Sequence, residues 1–394
     1  MGKTGVAELD DSVKTKYMSD YLLAAANKSV WSQFVDWDVI TEGQGGSSFK
    51  YVAYEAMDSD DAAAKLPEKD DIEATALTDS AIEVTPYEYG RRVTLTSLLR
   101  FQSHVKTREA TAKLVGQNMM DTVERAIRRG VLGGTHNVFL PDNAAARTEL
   151  TTTHDPDFAS LGEMVSMARS MGIEPFGEEF VAVIHPAIEP SIVGLTEVKG
   201  IGYNYPEPLY KGEIARLAGI RFVRSRWGKL YLSGGLVTAA ATDLTAAPVA
   251  GATTIDVTSV TTPAIAAGDW LTIGTLESAT AEQVQVTKVE TLKLTIRGAG
   301  NGASNFGLKW AHASGDAVTE AANVAAICLI GANSVKGVYG SNTGKFGKSV
   351  IKENIDSLNR LLSLGWYWYG GLGIVEKYVL RGEFYCKQHV FGGN

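Results

Sequence analysis

Leu209-Tyr-Lys-Gly-Glu-Ile-Ala-Arg-Leu-Ala-Gly-Ile-Arg-Phe-Val223 is the stretch on which the reading of this chain turns. Ile214, Leu217 and Ala218 fall at i, i+3 and i+4, which makes one apolar helical face. Gly219 stands where a helix C-cap takes a left-handed residue. Beyond it Ile220 and Phe222 alternate with Arg221, the pattern of a half-buried strand. The stretch predicts a short helix, a stop and a strand, and nothing in it requires a catalyst.

Upstream, Gly200 to Pro208 is a Gly/Tyr/Pro loop. Phe180-Val-Ala-Val-Ile184 predicts a buried strand, and His185-Pro186 a turn into a short helix. Asp155-Pro156-Asp157 opens a helix with Phe158, Leu161, Met164, Val165 and Ala168 on its apolar face and Gly172 at its end. Ser103 to Leu132 reads as the longest helix, about 45 Å at 1.5 Å per residue. Val115, Met119, Val123, Ile127 and Val131 form its stripe, and Gly133-Gly134 stops it. Before it, Gly43 to Leu99 resembles one long hairpin. Phe49, Tyr51 and Ala53 alternate in one limb; Ile82, Val84, Tyr87, Tyr89, Val93 and Leu95 mark the return.

Between the limbs, Met57 to Ser80 is acidic and alanine-rich, with few large apolar groups to bury. It is either a solvated loop or a loop ordered on another copy of the chain. Residues 41–80 carry ten acidic and three basic groups; residues 91–130 carry nine basic and three acidic. Adjacent blocks of opposite sign suit contact between copies, and equally suit two separately solvated surfaces. The first forty residues look like an arm, with Tyr17, Tyr21, Leu22 and Ala25 at helical spacing and Val30-Trp-Ser-Gln-Phe34 next along the chain. Such an arm folds onto its own core or onto a neighbour.

Downstream, composition shifts at Leu236. From there to Glu320 the chain is rich in Thr, Ala and Gly and has no Met or Cys. Short alternating runs recur at Thr254–Val257, Trp270–Ile273, Val284–Thr287 and Leu292–Ile296. They predict a small β-sandwich or β-barrel inserted in a host unit. The host pattern resumes with the apolar run Val324 to Ile330. Ile351, Ile355, Leu358, Leu361 and Leu362 suggest a helix, succeeded by the aromatic run Trp366-Tyr-Trp-Tyr369 and strands from Ile374 to Phe384.

The chain has 394 residues and a net charge of −8. Gripping nucleic acid usually requires a basic excess, which is missing. No apolar run nears the roughly 18 residues of a membrane span, and the first residues lack a signal-peptide core. Two cysteines, Cys328 and Cys386, fit a reducing compartment. None of the six histidines forms H-E-x-x-H or a zinc spacing. His154-Asp155 precedes a Pro and reads as a loop feeding a helix N-cap. No G-x-S-x-G elbow occurs. Gly340-Ser-Asn-Thr-Gly-Lys-Phe-Gly-Lys-Ser349 lacks the first Gly of a phosphate loop and has no clear strand running into it. We therefore expect no enzyme, cofactor or metal.

The wording of several segments resembles the major capsid proteins of tailed bacteriophages, in the family named after the N-four-like phages. Phe180-Val-Ala-Val-Ile-His-Pro186 is similar to the family's strand ending in His-Pro. Leu209 to Val223 is similar to its helix-turn-strand signature. Tyr89-Gly-Arg-Arg-Val-Thr-Leu-Thr96 occupies the place where the hairpin returns to the spine. The resemblance covers residues 10–235 and, more weakly, 321–390.

It implies an α+β, Hong Kong 97-type fold built of successive segments. The N-terminal arm covers 1–42, the extended hairpin 43–100, and the spine helix with peripheral domain 101–150. The first part of the axial domain covers 151–235, the inserted β domain 236–320, the axial return 321–350, and a C-terminal helix with peripheral strands 351–394. It also implies a shell tile that forms hexamers and pentamers around double-stranded DNA, in a virion assembled in bacterial cytoplasm. Partners would be other copies, with scaffold, portal or decoration proteins possible and no membrane. Subunit contacts are expected from Asp58, Asp60, Asp61, Lys65, Lys69, Asp70 and Asp71 on the loop. Their counterparts are Arg91, Arg92, Arg125, Arg128 and Arg129. Lysine–asparagine crosslinking is not carried over, because no partner Asn or catalytic acid can be identified. An encapsulin-like compartment, or an adhesive or carbohydrate-binding surface protein, are the alternative readings.

Overall fold

A computed structural model describes residues 29–43, 47–54, 65, 79–102, 107–133, 137–195, 216–235, 242–261, 264–274, 278, 280–300, 306–352, 360–375 and 378–390. The helical spacing at Tyr17 to Ala25, the acidic segment apart from Lys65, Asp79 and Ser80, and residues 209–215 lie outside these.

The chain enters through a 3-10 turn, Trp31–Phe34, and strand β1 (Asp36–Ile40). Trp31 is buried against its own spine helix, so this end of the arm folds onto its own core. β2 (Phe49–Tyr54) and β3 (Asp79–Val84) pair antiparallel from Phe49↔Val84 to Tyr54↔Asp79, as the alternation predicts, but the paired return limb ends at Val84: Tyr87, Tyr89, Val93 and Leu95, expected in the same limb, lie on a strand that pairs with residues 361–370 instead. Phe49 and Tyr51 pack beside Val84, because alternate residues of a strand share a face. β4 (Tyr87–Thr96) leads through α1 (Ser97–Gln102) to α2 (Thr107–Gly133), the expected spine. Val115, Val123, Ile127 and Val131 are buried along α2, which runs for about 40 Å.

β5 (Val138–Phe139) precedes α3 (Phe158–Ser170). Asp157 caps α3 by accepting from the Ser160 N–H at 2.8 Å. Gly172, at φ 73°, closes it with Ile173 N–H bonded to Ala168 O at 3.0 Å. Phe158, expected on the apolar face, is instead exposed at the first turn. All five residues of β6 (Phe180–Ile184) are buried, and α4 (Glu189–Val193) comes after the His185-Pro186 turn.

The described part of the opening stretch differs from its sequence reading. Residues 216–218 are not helical. β7 (Arg216–Leu217) and β8 (Ile220–Arg224) form a hairpin with Leu217 opposite Ile220. Its two turn residues, Ala218 and Gly219, have φ of 52° and 78°. This is the left-handed pair of a two-residue hairpin turn, whose twist matches the strands. Gly219 is left-handed as expected, but the apolar spacing of Leu217 and Ala218 reflects one strand end and one turn. Alanine is strained there, so Ala218→Asn is expected to raise stability by about 0.5–1 kcal/mol, read by urea denaturation.

After β9 (Leu230–Tyr231) come β10 (Thr242–Asp243), β11 (Thr254–Asp256), β12 (Trp270–Ile273), β13 (Glu282–Glu290), β14 (Lys293–Arg297) and β15 (Ala317–Glu320). They form a six-stranded sheet in the order β10-β15-β12-β13-β14-β11. Its outer strands meet: Leu244 bridges Val257, Thr245 N–H bonds Asp256 O at 2.9 Å, and Thr258 N–H bonds Asp243 O at 2.9 Å. The sheet thus closes into a barrel around Leu244, Ile255, Val257, Ile273, Val284 and Leu294.

β16 (Asn323–Ile330) is buried at all eight positions. It is central to a seven-stranded sheet, β5-β20-β16-β6-β8-β7, with β9 also on β16. β17 (Val335–Gly340), β18 (Lys348–Lys352) and β19 (Leu361–Ile374) build the other wall sheet with β1 and β4, and β20 (Val379–Cys386) returns to the first. The helix suggested by Ile351 to Leu362 is absent from the described part. Residues 348–352 and 361–374 are strands, and burial at Leu362, Leu364, Trp366 and Trp368 has a period of two. A strand, β17, does run into the Gly340 loop, contrary to the sequence reading. The loop leads out into another strand, β18, and not into a helix, so a phosphate loop still fails. Among the described residues no helix is long and apolar enough to cross a membrane.

Candidate functional site

Two surface features could join this chain to something else, and a third holds the chain itself together. The first is basic. Arg125 and Arg129 lie one turn apart on α2, beside Arg91 on β4. Together with Thr122, Tyr89 and Trp368 they line an open groove of about 390 Å³. The Arg125 guanidinium also sits 4.9 Å from the centre of the Trp227 ring. Among the described residues no carboxylate pairs with Arg91, Arg125 or Arg129. The structure therefore brings together three of the five expected arginines.

The other two stand apart. Arg92, the next residue of β4, is absent from that groove and helps to line a second one with Lys352 and Tyr367, which Arg91 also borders. Arg128 is half-buried, and its pKa is lowered by burial and by the neighbouring Arg125 and Arg129. It acts on His185, whose pKa is pushed down to about 4, first by burial and then by Arg128. His185 Nδ1 accepts from the Ala187 N–H at 3.0 Å, the arrangement of a neutral imidazole capping a turn. Of the loop residues, Lys65 is exposed. Asp58, Asp60, Asp61, Lys69, Asp70 and Asp71 lie outside the described residues.

This histidine makes stability depend on pH. The unfolded chain takes up the proton near pH 6.5, whereas the folded chain resists it down to about 4. Its contribution is complete above pH 6.5 and is lost as pH falls toward 4, by on the order of 2–3 kcal/mol. His185→Asn, which keeps the capping acceptor, is expected to remove that part of the slope in urea denaturation at pH 7 and pH 4.5.

The second feature is apolar and was missed from the sequence. Phe101 is 89% exposed and Leu98 62%, with Leu99 exposed beside them on α1. Val93 and Ile351 are exposed on strands either side of the buried Leu364, in one row. The signal was available in Ser97-Leu-Leu-Arg-Phe-Gln102, where three large apolar residues interrupt a charged region. An exposed apolar patch of this kind marks an interaction surface.

The third is a latch. Glu124, 2% exposed on α2, accepts from the N–H groups of Val30, Trp31 and Ser32 at 3.0, 3.0 and 3.2 Å. Ser29 Oγ donates to it at 2.6 Å. One carboxylate thus holds the start of the described chain onto the spine. Two turns further along, at the C-terminal end of α2, Arg381 Nη1 caps Leu132 O at 3.0 Å, and Arg147 forks onto Glu383 at 2.7 and 3.0 Å.

Chemistry is sparse. Among the described residues no group of three His, Cys, Asp or Glu could hold a metal. His154 Nδ1 accepts from the Thr151 N–H at 2.9 Å, in the loop that feeds α3. Burial pushes the Cys328 and Cys386 thiols up to about 12 and about 11, so both stay protonated and unreactive.

No protein-family model matches the sequence, and no curated protein does. Solved structures do match, nearly end to end. The capsid asymmetric unit of cyanophage Pam1 aligns with a TM-score of 0.61 at 12% identity, covering 95% of this chain and 97% of that one. The capsid of Ralstonia phage GP4 aligns at 0.57 and 12% identity, covering 99% and 100%. The acid-stable capsid of Helicobacter pylori bacteriophage KHP30 aligns at 0.55 and 12%, covering 98% and 99%.

The chain has a phage-capsid fold. At 12% identity this likeness shows the fold alone. The resemblance read from Phe180–Pro186 and Tyr89–Thr96 pointed to the same architecture.

Proposed function

We propose that this chain is the major capsid protein of a tailed phage, whose copies assemble as hexamers and pentamers into an icosahedral head around double-stranded DNA. The observation that carries this reading is the end-to-end likeness to capsid subunits, at 95–99% of this chain. The surfaces suit it. The β2–β3 hairpin leads into the acidic segment, and the Arg91, Arg125 and Arg129 groove offers that segment a complementary seat on a neighbouring copy. The apolar tip at Leu98 and Phe101 supplies a second contact. Repetition around a closed shell multiplies modest contacts into a stable whole.

On this reading the barrel, residues 236–320, is an insertion between the two parts of an axial domain, and it decorates or braces the shell. Scaffold, portal and decoration proteins are the further partners, and assembly takes place in the host cytoplasm. Sedimentation of the purified chain at rising concentration tests the reading. A sharp threshold to large particles that moves to higher concentration in Arg125→Glu/Arg129→Glu is expected. A chain that stays monomeric throughout contradicts it.

A further inference from the structure

Alternate residues of β4 share a face, so Tyr89 and Arg91 both turn toward α2, opposite Trp368 and Trp366 of β19. Arg125 and Arg129 meet them from the helix across the groove of about 390 Å³. Gly130 of α2 and Gly370 and Gly371 of β19 line it with backbone alone.

One buried donor of this groove has no acceptor. Trp368 is 1% exposed, and its Nε1 makes no hydrogen bond. The indoles around it are satisfied: Trp366 Nε1 donates to Asn118 Oδ1 at 3.0 Å, and Trp37 Nε1 to Ser32 O at 3.1 Å. A Cβ on Gly370 would come within 2.4 Å of Trp368 Cζ2 and 2.7 Å of Cε2. The ring edge that carries Nε1 therefore lies against a groove-lining glycine. A buried polar group left unpaired in a folded chain is rare and asks for a partner.

The charge has one sign. Among the described residues no carboxylate lines the groove. The acids next along α2 are held elsewhere, Glu124 by the latch and Asp121 by the Trp227 Nε1–H at 3.3 Å. Arg128 feels the surplus: its pKa falls through burial and then through Arg125 and Arg129.

Guanidinium and indole N–H groups donate and cannot accept, so the occupant must bring several acceptor oxygens. A carboxylate brings two and one charge. A terminal phosphate brings three and about −1.5 to −2 charges at pH 7, and it suits the planar fork of arginine. A phosphodiester within a duplex carries one charge and is held at the duplex surface, out of reach of a buried indole.

We propose that this groove binds a terminal phosphate, whose oxygens accept from the exposed Arg91, Arg125 and Arg129 guanidinia and from the buried Trp368 N–H. Phosphate is the occupant of the free subunit, and its binding rests on the groove alone, not on assembly into a shell.

The test uses the full chain at a concentration where it sediments as a single subunit. Inorganic phosphate and a nucleoside triphosphate are titrated separately by calorimetry at low salt, with acetate and a duplex DNA bearing hydroxyl ends as comparisons. Saturable binding with a Kd on the order of 0.1 mM is expected for the phosphates. Tighter binding of the triphosphate assigns the groove to a nucleotide, and equal binding assigns it to free phosphate. Arg125→Gln/Arg129→Gln is expected to weaken binding about tenfold or more with an unchanged melting temperature. Lys288→Gln, on the barrel, keeps the parent affinity. In a chain labelled with nitrogen-15 at its indoles, the Trp368 N–H signal, identified by its loss in Trp368→Phe, is expected to move downfield as phosphate saturates. Equal binding of acetate, preference for the hydroxyl-ended duplex, undiminished binding by Arg125→Gln/Arg129→Gln, an unmoved Trp368 signal, or no saturable binding overturns the proposal. The readout needs no shell, so it fails or succeeds independently of the capsid reading.

Discussion

Phe101→Asp is expected to abolish particle formation while leaving the chain folded. The side chain is 89% exposed, so within the subunit it contributes little packing. Surface substitutions of this kind change stability by about 0.5 kcal/mol or less. On the proposed capsid reading the same residue is expected to sit with Leu98 and Leu99 in a water-excluded contact between copies. There a large aromatic truncated at an interface costs about 2 kcal/mol or more, and a buried unpaired carboxylate adds to that. The penalty recurs at every copy, so a tenfold weakening per contact becomes a complete failure to close. Circular dichroism and melting of Phe101→Asp should match the parent, while light scattering shows no particles at concentrations where the parent assembles. Assembly that persists would remove α1 from the contact surface.

Glu124→Ala is expected to be the most damaging single change to the fold. Three backbone N–H groups and one hydroxyl converge on this carboxylate at 2.6–3.2 Å. Removing it strands these donors beside Trp31, in a site water does not readily reach. Each stranded buried donor costs about 1–3 kcal/mol, so a loss of at least about 3 kcal/mol in urea denaturation is expected. Glu124→Gln keeps an acceptor oxygen and should recover part of it. Limited proteolysis should cut near residues 29–34 early in Glu124→Ala and late in the parent.

The legible parts of this fold are those where one period dominates. The stripe from Val115 to Val131 matches α2, and Phe180 to Ile184 matches a fully buried strand, because burial on one or both faces leaves a regular trace. The four short runs between Thr254 and Ile296 are strands for the same reason. The errors fall where apolar residues are few and a period is read across a junction. Leu217 and Ala218 belong to a strand end and a left-handed turn. Ile351 and Leu362 belong to two strands paired with each other through the sheet.

The site was legible only in part. Charge blocks in the sequence pointed to five arginines, Arg91, Arg92, Arg125, Arg128 and Arg129, without telling them apart. Helix phase decides which arginines share a groove, and Arg128, one step around from Arg129, turns toward His185. Glu124 is one of only three acids among residues 91–130, and nothing local in the sequence marks it out. Its role depends on donors more than ninety residues earlier in the chain, which no local pattern reports.

Negative-stain electron microscopy of the expressed chain tests the central claim most directly. Closed shells, hexameric and pentameric capsomers or tubes are the result expected of a capsid subunit. A field of uniform single subunits at high protein concentration would contradict it.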